Sequence, residues 1–178
     1  MAKQPVIVIG ISAGTRYVGF TVLSGLELMD WREKAFNGPW NEGKLKKILT
    51  SFRIMVELYG PTAVAFKRVH RSRTSPGLDH LVNELTKLAR SRNIRTCTYT
   101  TQQMIAMLLH KKRGNRKILS ETLLNIYPSL HPLARRELEI KRSYHLRLFE
   151  ALGCAVLFAR QIELEALQSA PYVSNTAS

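Results

Sequence analysis

The chain has 178 residues, with 27 Lys or Arg against 13 Asp or Glu and a formal charge of +14. Its 45% hydrophobic content can fill a single core, which excludes wholesale disorder. No apolar run reaches the roughly 18 residues of a membrane helix, and residues 6–11 fall short of the roughly 7–15 of a signal-peptide core, so a cytoplasmic protein without membrane contact is expected.

Residues 6–11 are β-branched and almost wholly apolar, and predict a strand buried on both faces. After a turn over residues 12–15, residues 18–23 resume a β-rich run, Ser24-Gly25 turns the chain, and residues 26–36 give a third, more polar strand. Asn37-Gly38-Pro39 ends this meander, and Leu45, Ile48, Leu49, Phe52 and Met55 recur at helical spacing until Gly60-Pro61. Residues 62–69 predict a short strand, and residues 70–77 a basic loop. Leu78, Leu81, Val82, Leu85 and Leu88 then mark an amphipathic helix, and residues 94–100 a fifth strand. Thr101 is expected to cap a short helix to Leu109, residues 110–117 form a basic interruption, and residues 118–126 are helical again before Pro128.

The last large element reads as one helix with a seam of Tyr144, Leu148, Leu152, Ala155, Ala159, Ile162 and Ala166. Its small residues Ala151, Gly153, Cys154 and Ala155 allow close approach to a sheet. Residues 169–178 look like a loose tail, so residues 1–168 form one domain. The order of elements implies an α/β fold, with a five-stranded mixed sheet and helices on both faces. Periodicity leaves the strand order open.

Several familiar chemistries fail on these residues. Cys97 and Cys154 each stand alone in apolar surroundings, which leaves neither a disulfide framework nor a CxxC metal site. His70, His80, His110, His131 and His145 show no zinc-ligand spacing. Gly10-Ile11-Ser12-Ala13-Gly14 has the letters of a G-x-S-x-G nucleophile elbow, but that serine needs a helix directly after it, and the residues after Gly14 are β-rich. Tyr17 and Trp31 are candidates for base stacking, with sheet packing the commoner role for such residues.

The stretch Ile9-Gly10-Ile11-Ser12-Ala13-Gly14-Thr15-Arg16-Tyr17-Val18-Gly19-Phe20 resembles the opening strand and turn of RuvC-type Holliday junction resolvases, members of the RNase H-like superfamily. In that family the segment reads Gly-Ile-Asp-Pro-Gly-Thr-Arg, with a later Gly opening the second strand. The spacing of Gly10, Gly14, Thr15, Arg16 and Gly19 is matched, and Ser12 stands at the aspartate. The resemblance covers residues 6 to about 165 and implies an RNase H-like fold and a homodimer.

The family's nuclease chemistry uses Mg²⁺ ions held by carboxylates across an in-line phosphoryl displacement. Its second acid falls at Lys67, and its last two at Arg147 and at Glu150, which opens the Asp-Ala-Leu-like Glu150-Ala151-Leu152. The resemblance thus turns the acid positions into Ser12, Lys67, Arg147 and Glu150, with one carboxylate and two cations. Two cations repel a divalent ion, more strongly at low dielectric. The expectation is a pseudonuclease with no functional catalytic residue, no metal and no cofactor. Lys67 and Arg147 are expected to fill the space of the metals and to pair with Glu150, since a lone carboxylate there is costly. The bland alternative makes all three ordinary solvated charges.

The charge excess makes a polyanion the leading partner class, because Lys and Arg on phosphates release counterions. Lys111, Lys112, Arg113, Arg116 and Lys117 form the densest basic stretch, and it resembles the family's basic, Gly-containing loop with its lysine-led helix. Arg71, Arg73 and Arg16 join them as candidate nucleic-acid contacts, and Arg135, Arg136, Lys141 and Arg142 form a further patch. The leading reading is a catalytically inactive RuvC-like protein that binds branched or double-stranded nucleic acid, DNA in the first instance. One alternative is a divergent Mg²⁺-dependent endonuclease that recruits Glu150 with Asp30 or Asp79. The other is a protein-interaction scaffold with an acidic partner.

Overall fold

The computed structural model describes residues 5–140 and 146–169, with 136–140 and 146 described without side chains. Strands β1 (Ile7–Ser12), β2 (Tyr17–Ser24) and β3 (Glu27–Ala35) form the expected antiparallel meander, with a bulge between Val22 and Leu23. Strand β4 (Ala63–Lys67) lies parallel to β1, and β5 (Arg95–Tyr99) parallel to β4. The sheet order is β3-β2-β1-β4-β5.

Alternation along the central strands sorts large from small residues. Ile9 and Ile11 of β1, Phe20 and Val22 of β2, and Val64 and Phe66 of β4 face one side. There they pack under α1 (Glu42–Tyr59) and α2 (Pro76–Ser91). The opposite face carries Val8, Ala63 and Ala65, with Gly10, Ser12 and Thr21 at the intervening positions. A helix can therefore approach that face closely.

That helix is α6 (Leu146–Gln168), and α3 (Thr101–Leu109) and α4 (Arg116–Ile126) cover its outer side. Every residue from Leu148 to Ala159 is buried. The expected single seam is therefore too narrow: a helix sandwiched between a sheet and two helices is apolar all round. A further helix, α5 (His131–Ile140), precedes it. The sequence reading had no helix there, because residues 131–140 combine a proline with clustered charges.

Helix starts account for two smaller corrections. Thr100, not Thr101, caps α3: its hydroxyl accepts from Gln103 N–H while the Gln103 side chain returns to the Thr100 N–H, a capping box. The Asn115 side chain accepts from Ile118 N–H, so α4 begins at Arg116 and draws Arg116 and Lys117 out of the basic loop into its first turn. The loop after β4 contains a 3-10 turn over Arg71–Arg73. The α1 stop is as expected, with Gly60 left-handed at φ 57°. Lys141, Arg142, Tyr144, His145, the Arg136 side chain and the tail beyond Ser169 lie outside the described residues. Among the described residues no helix is long and apolar enough to cross a membrane.

Candidate functional site

The same alternation that sorts the core brings Ser12 and Lys67 together. Ser12 continues the Val8, Gly10 side of β1, and Lys67 continues the Ala63, Ala65 side of β4, so both strand ends face α6. The three matched glycines make room for that helix. A Cβ on Gly10 would lie 2.0 Å from the Ala151 carbonyl oxygen, and one on Gly19 2.7 Å from the Arg147 carbonyl. A Cβ on Gly14 would lie 2.5 Å from Arg147 Cζ. The motif's glycines are thus a docking surface for the start of α6, and the docking sets Glu150 over Ser12.

Glu150 is 1% exposed. The Ser12 hydroxyl donates to its Oε2 at 2.9 Å. Its Oε1 has two cations, Lys67 Nζ at 3.3 Å and Arg116 Nε at 2.8 Å. These are ion pairs without hydrogen-bond alignment. The Arg147 guanidinium bonds elsewhere, its Nη1 donating to the Ala13 carbonyl at 2.9 Å. Burial lowers the Arg147 pKa below the usual guanidinium value, with the attraction of Glu150 opposing the shift and nearby Arg116 adding to it.

Lys67 pairs with Glu150 as expected; Arg147 does not, because its planar fork finds the backbone carbonyl that Gly14 leaves open. Arg116, expected only at phosphates, supplies the second cation. No local pattern announces this contact, since Arg116 reaches Glu150 only after α4 has packed on α6.

The divalent metal that the fold family implies needs converging carboxylates. This donor set has one carboxylate, already held by a hydroxyl and two cations, and does not fit. Among the described residues no group of three or more His, Cys, Asp and Glu could hold a metal ion. Asp30 sits on the α1 side of the sheet, where Tyr59 Oη donates to it at 2.7 Å and Arg32 Nε at 2.8 Å. Asp79 is exposed in the first turn of α2, where the Thr74 hydroxyl donates to it.

Above Glu150 opens a cleft of about 1020 Å³ at the carboxyl ends of β1, β4 and β5, where ligands of open α/β sheets gather. Its walls carry Lys67, Arg68, Arg71, Arg73, Arg116, Lys117 and Arg147, and among the described residues no Asp or Glu. Residues at the starts of α3 and α4 also line it, adding the partial positive charge of helix N-termini.

The sequence reading did not single out Arg68 or Gln102 as part of this site, although a cap residue marks the start of each contributing helix; Asn115 it had placed in a Gly-Asn turn that approaches phosphates. Lys111, Lys112 and Arg113 are exposed in the loop leading into α4, outside the cleft lining. Arg16, exposed in the turn after β1, is also outside it. Arg135 is exposed on α5. Tyr17 is half-buried and Trp31 is 36% exposed on the edge strand. Cys154 is buried and Cys97 half-buried.

No protein-family model matches the sequence, and no curated protein matches it. Solved structures do match. The chain superposes on the RuvC structure from Thermus thermophilus with a TM-score of 0.70 and 16% identity, over 90% of this chain and 97% of that one. On T. thermophilus RuvC in complex with a Holliday junction substrate the TM-score is 0.66 with 18% identity, over 89% and 96% of the two chains. On the yeast mitochondrial Holliday junction resolvase it is 0.58 with 11% identity, over 92% and 80%. At these identities the likeness establishes the fold.

Proposed function

We propose that this chain, which has the RuvC-like form of the RNase H-like fold, binds branched or double-stranded DNA in its basic cleft and does not cut it. The observation that carries the reading is the cleft itself. Among the described residues seven Lys or Arg line it without one Asp or Glu, above a carboxylate paired with cations. Such a lining attracts a phosphate backbone and repels the divalent ions on which cleavage depends. The T. thermophilus RuvC complex holds a Holliday junction, and we extend that ligand class to this chain. Lys111, Lys112 and Arg113 extend the cationic surface beyond the cleft, where they meet phosphates that position the ligand without reading its sequence.

A salt series tests the binding half of this reading. A labelled four-way DNA junction, a linear duplex and an RNA duplex are titrated in EDTA, and log affinity is plotted against log salt. A steep negative slope is expected. Replacing Lys111, Lys112, Arg113, Arg116 and Lys117 with Gln weakens binding to every sequence and reduces the slope by roughly one for each phosphate no longer neutralised. A shallow slope, or one the five substitutions leave unchanged, removes the cleft and its loop from the binding surface.

A further inference from the structure

The misfit between the cleft floor and a metal site carries an inference of its own, which rests on the nucleic-acid reading above. Lys67 and Arg116 share the single Glu150 carboxylate, so one positive charge there is unbalanced. Arg147 brings a second guanidinium beside them, bonded to a neutral carbonyl and attracted by Glu33 and Glu150. Arg116 meets Glu150 through its Nε while its side chain stays 41% exposed, so the residue still presents a guanidinium to the cleft. All three cations line the cleft, at the start of α4, where a helix N-terminus also favours an anion.

We infer that the cleft floor is a seat for one phosphodiester of the bound strand, gripped by Lys67, Arg116 and Arg147 where metal ions would otherwise hold it. A phosphodiester is a monoanion with two non-bridging oxygens, which offsets part of the charge excess and suits the geometry of a guanidinium fork. Between binding events Glu150 holds Lys67 and Arg116 while the Ala13 carbonyl holds Arg147, and the arriving phosphate adds the second counter-charge. The grip is local, unlike the diffuse attraction of the exposed loop.

The test is a four-way DNA junction carrying one neutral methylphosphonate at a time, walked through the positions flanking the branch and titrated in EDTA with the full chain. One position per bound strand is expected to cost about tenfold or more, the size of losing charge-assisted hydrogen bonds, and its neighbours about twofold or less. Arg116→Gln, at a partly exposed side chain, should erase that peak. Arg147→Gln, on a different helix, should do the same and serves if the first variant does not fold. An even penalty along the strand overturns the seat and leaves the role of the cleft intact. A peak that survives both substitutions also overturns it, and loss of all junction binding to the wild-type chain removes both readings.

Discussion

Glu150 has one negative charge and, at 1% exposure, no access to bulk water, so its partners decide its effect on stability. Removing one member of a buried pair leaves the other charge unsatisfied, whereas replacing both with apolar groups is close to neutral. Glu150→Ala should therefore destabilise by roughly 3–5 kcal/mol, and Lys67→Met with Glu150→Leu should recover most of that loss. Urea unfolding reads both, and equal destabilisation by the single and double variants would contradict the pairing. Gly10→Ala is a test of a different force. Its Cβ would meet the Ala151 carbonyl oxygen at 2.0 Å, and neither backbone can yield cheaply, so a loss of roughly 3 kcal/mol is expected in the same assay. The Lys67–Glu150 contact was readable through the resemblance, which set both residues at the family's acid positions; strand alternation in the fold turns the end of β4 towards α6. The Arg116 contact was not, because it joins two helices that meet only in the tertiary fold.

At the scale of elements, α6 is held at its far end as well as at the site. Arg95 of β5 makes a two-point ion pair with Glu165, at 2.6 and 2.9 Å, and Tyr99 Oη donates to Gln161 at 2.8 Å. The Arg95 guanidinium, then Gln161, lowers the Glu165 pKa from its usual 4.5 to about 2. A carboxylate with a depressed folded-state pKa stabilises fully above its unfolded value and loses that contribution as pH falls through the folded one. The melting-temperature gap between wild type and Glu165→Gln should thus be present above about pH 4.5 and close towards about pH 2. It should also shrink with salt, since the pair is exposed. A gap independent of pH would mean that Glu165 acts through packing.

Strands, α1 and α2 were legible because each shows one clear period and a recognisable stop. Helix α6 was legible as a helix but not as a central one, because burial on all sides depends on α3 and α4, which no single-helix pattern reveals. Helix α5 was missed for a related reason, its first half being mostly polar or half-exposed.

For the whole molecule, the excess of positive charge favours a polyanion as the partner class without showing where one would bind. Placement came from topology. The parallel pairing of β1, β4 and β5 puts three strand ends on one edge, and two helix starts and the 3-10 turn close around them. Strand order could not be read from periodicity, because it is fixed by which strands pair across long stretches of chain. Yet the glycine spacing that carries the resemblance to RuvC-type resolvases has a physical meaning that the fold makes plain. Those glycines seat α6, because a Cβ at any of the three would collide with it.

The central claim is that the cleft binds a phosphate backbone without metal chemistry. Its most direct test is a labelled four-way DNA junction incubated with the chain in Mg²⁺, in Mn²⁺ and in EDTA at matched ionic strength, with binding and strand cleavage read from the same samples. No product, and no gain in affinity from either metal over EDTA, are expected. Metal-dependent product abolished by Glu150→Ala would contradict the claim, and would show that a single carboxylate between two cations can still serve a metal-dependent nuclease.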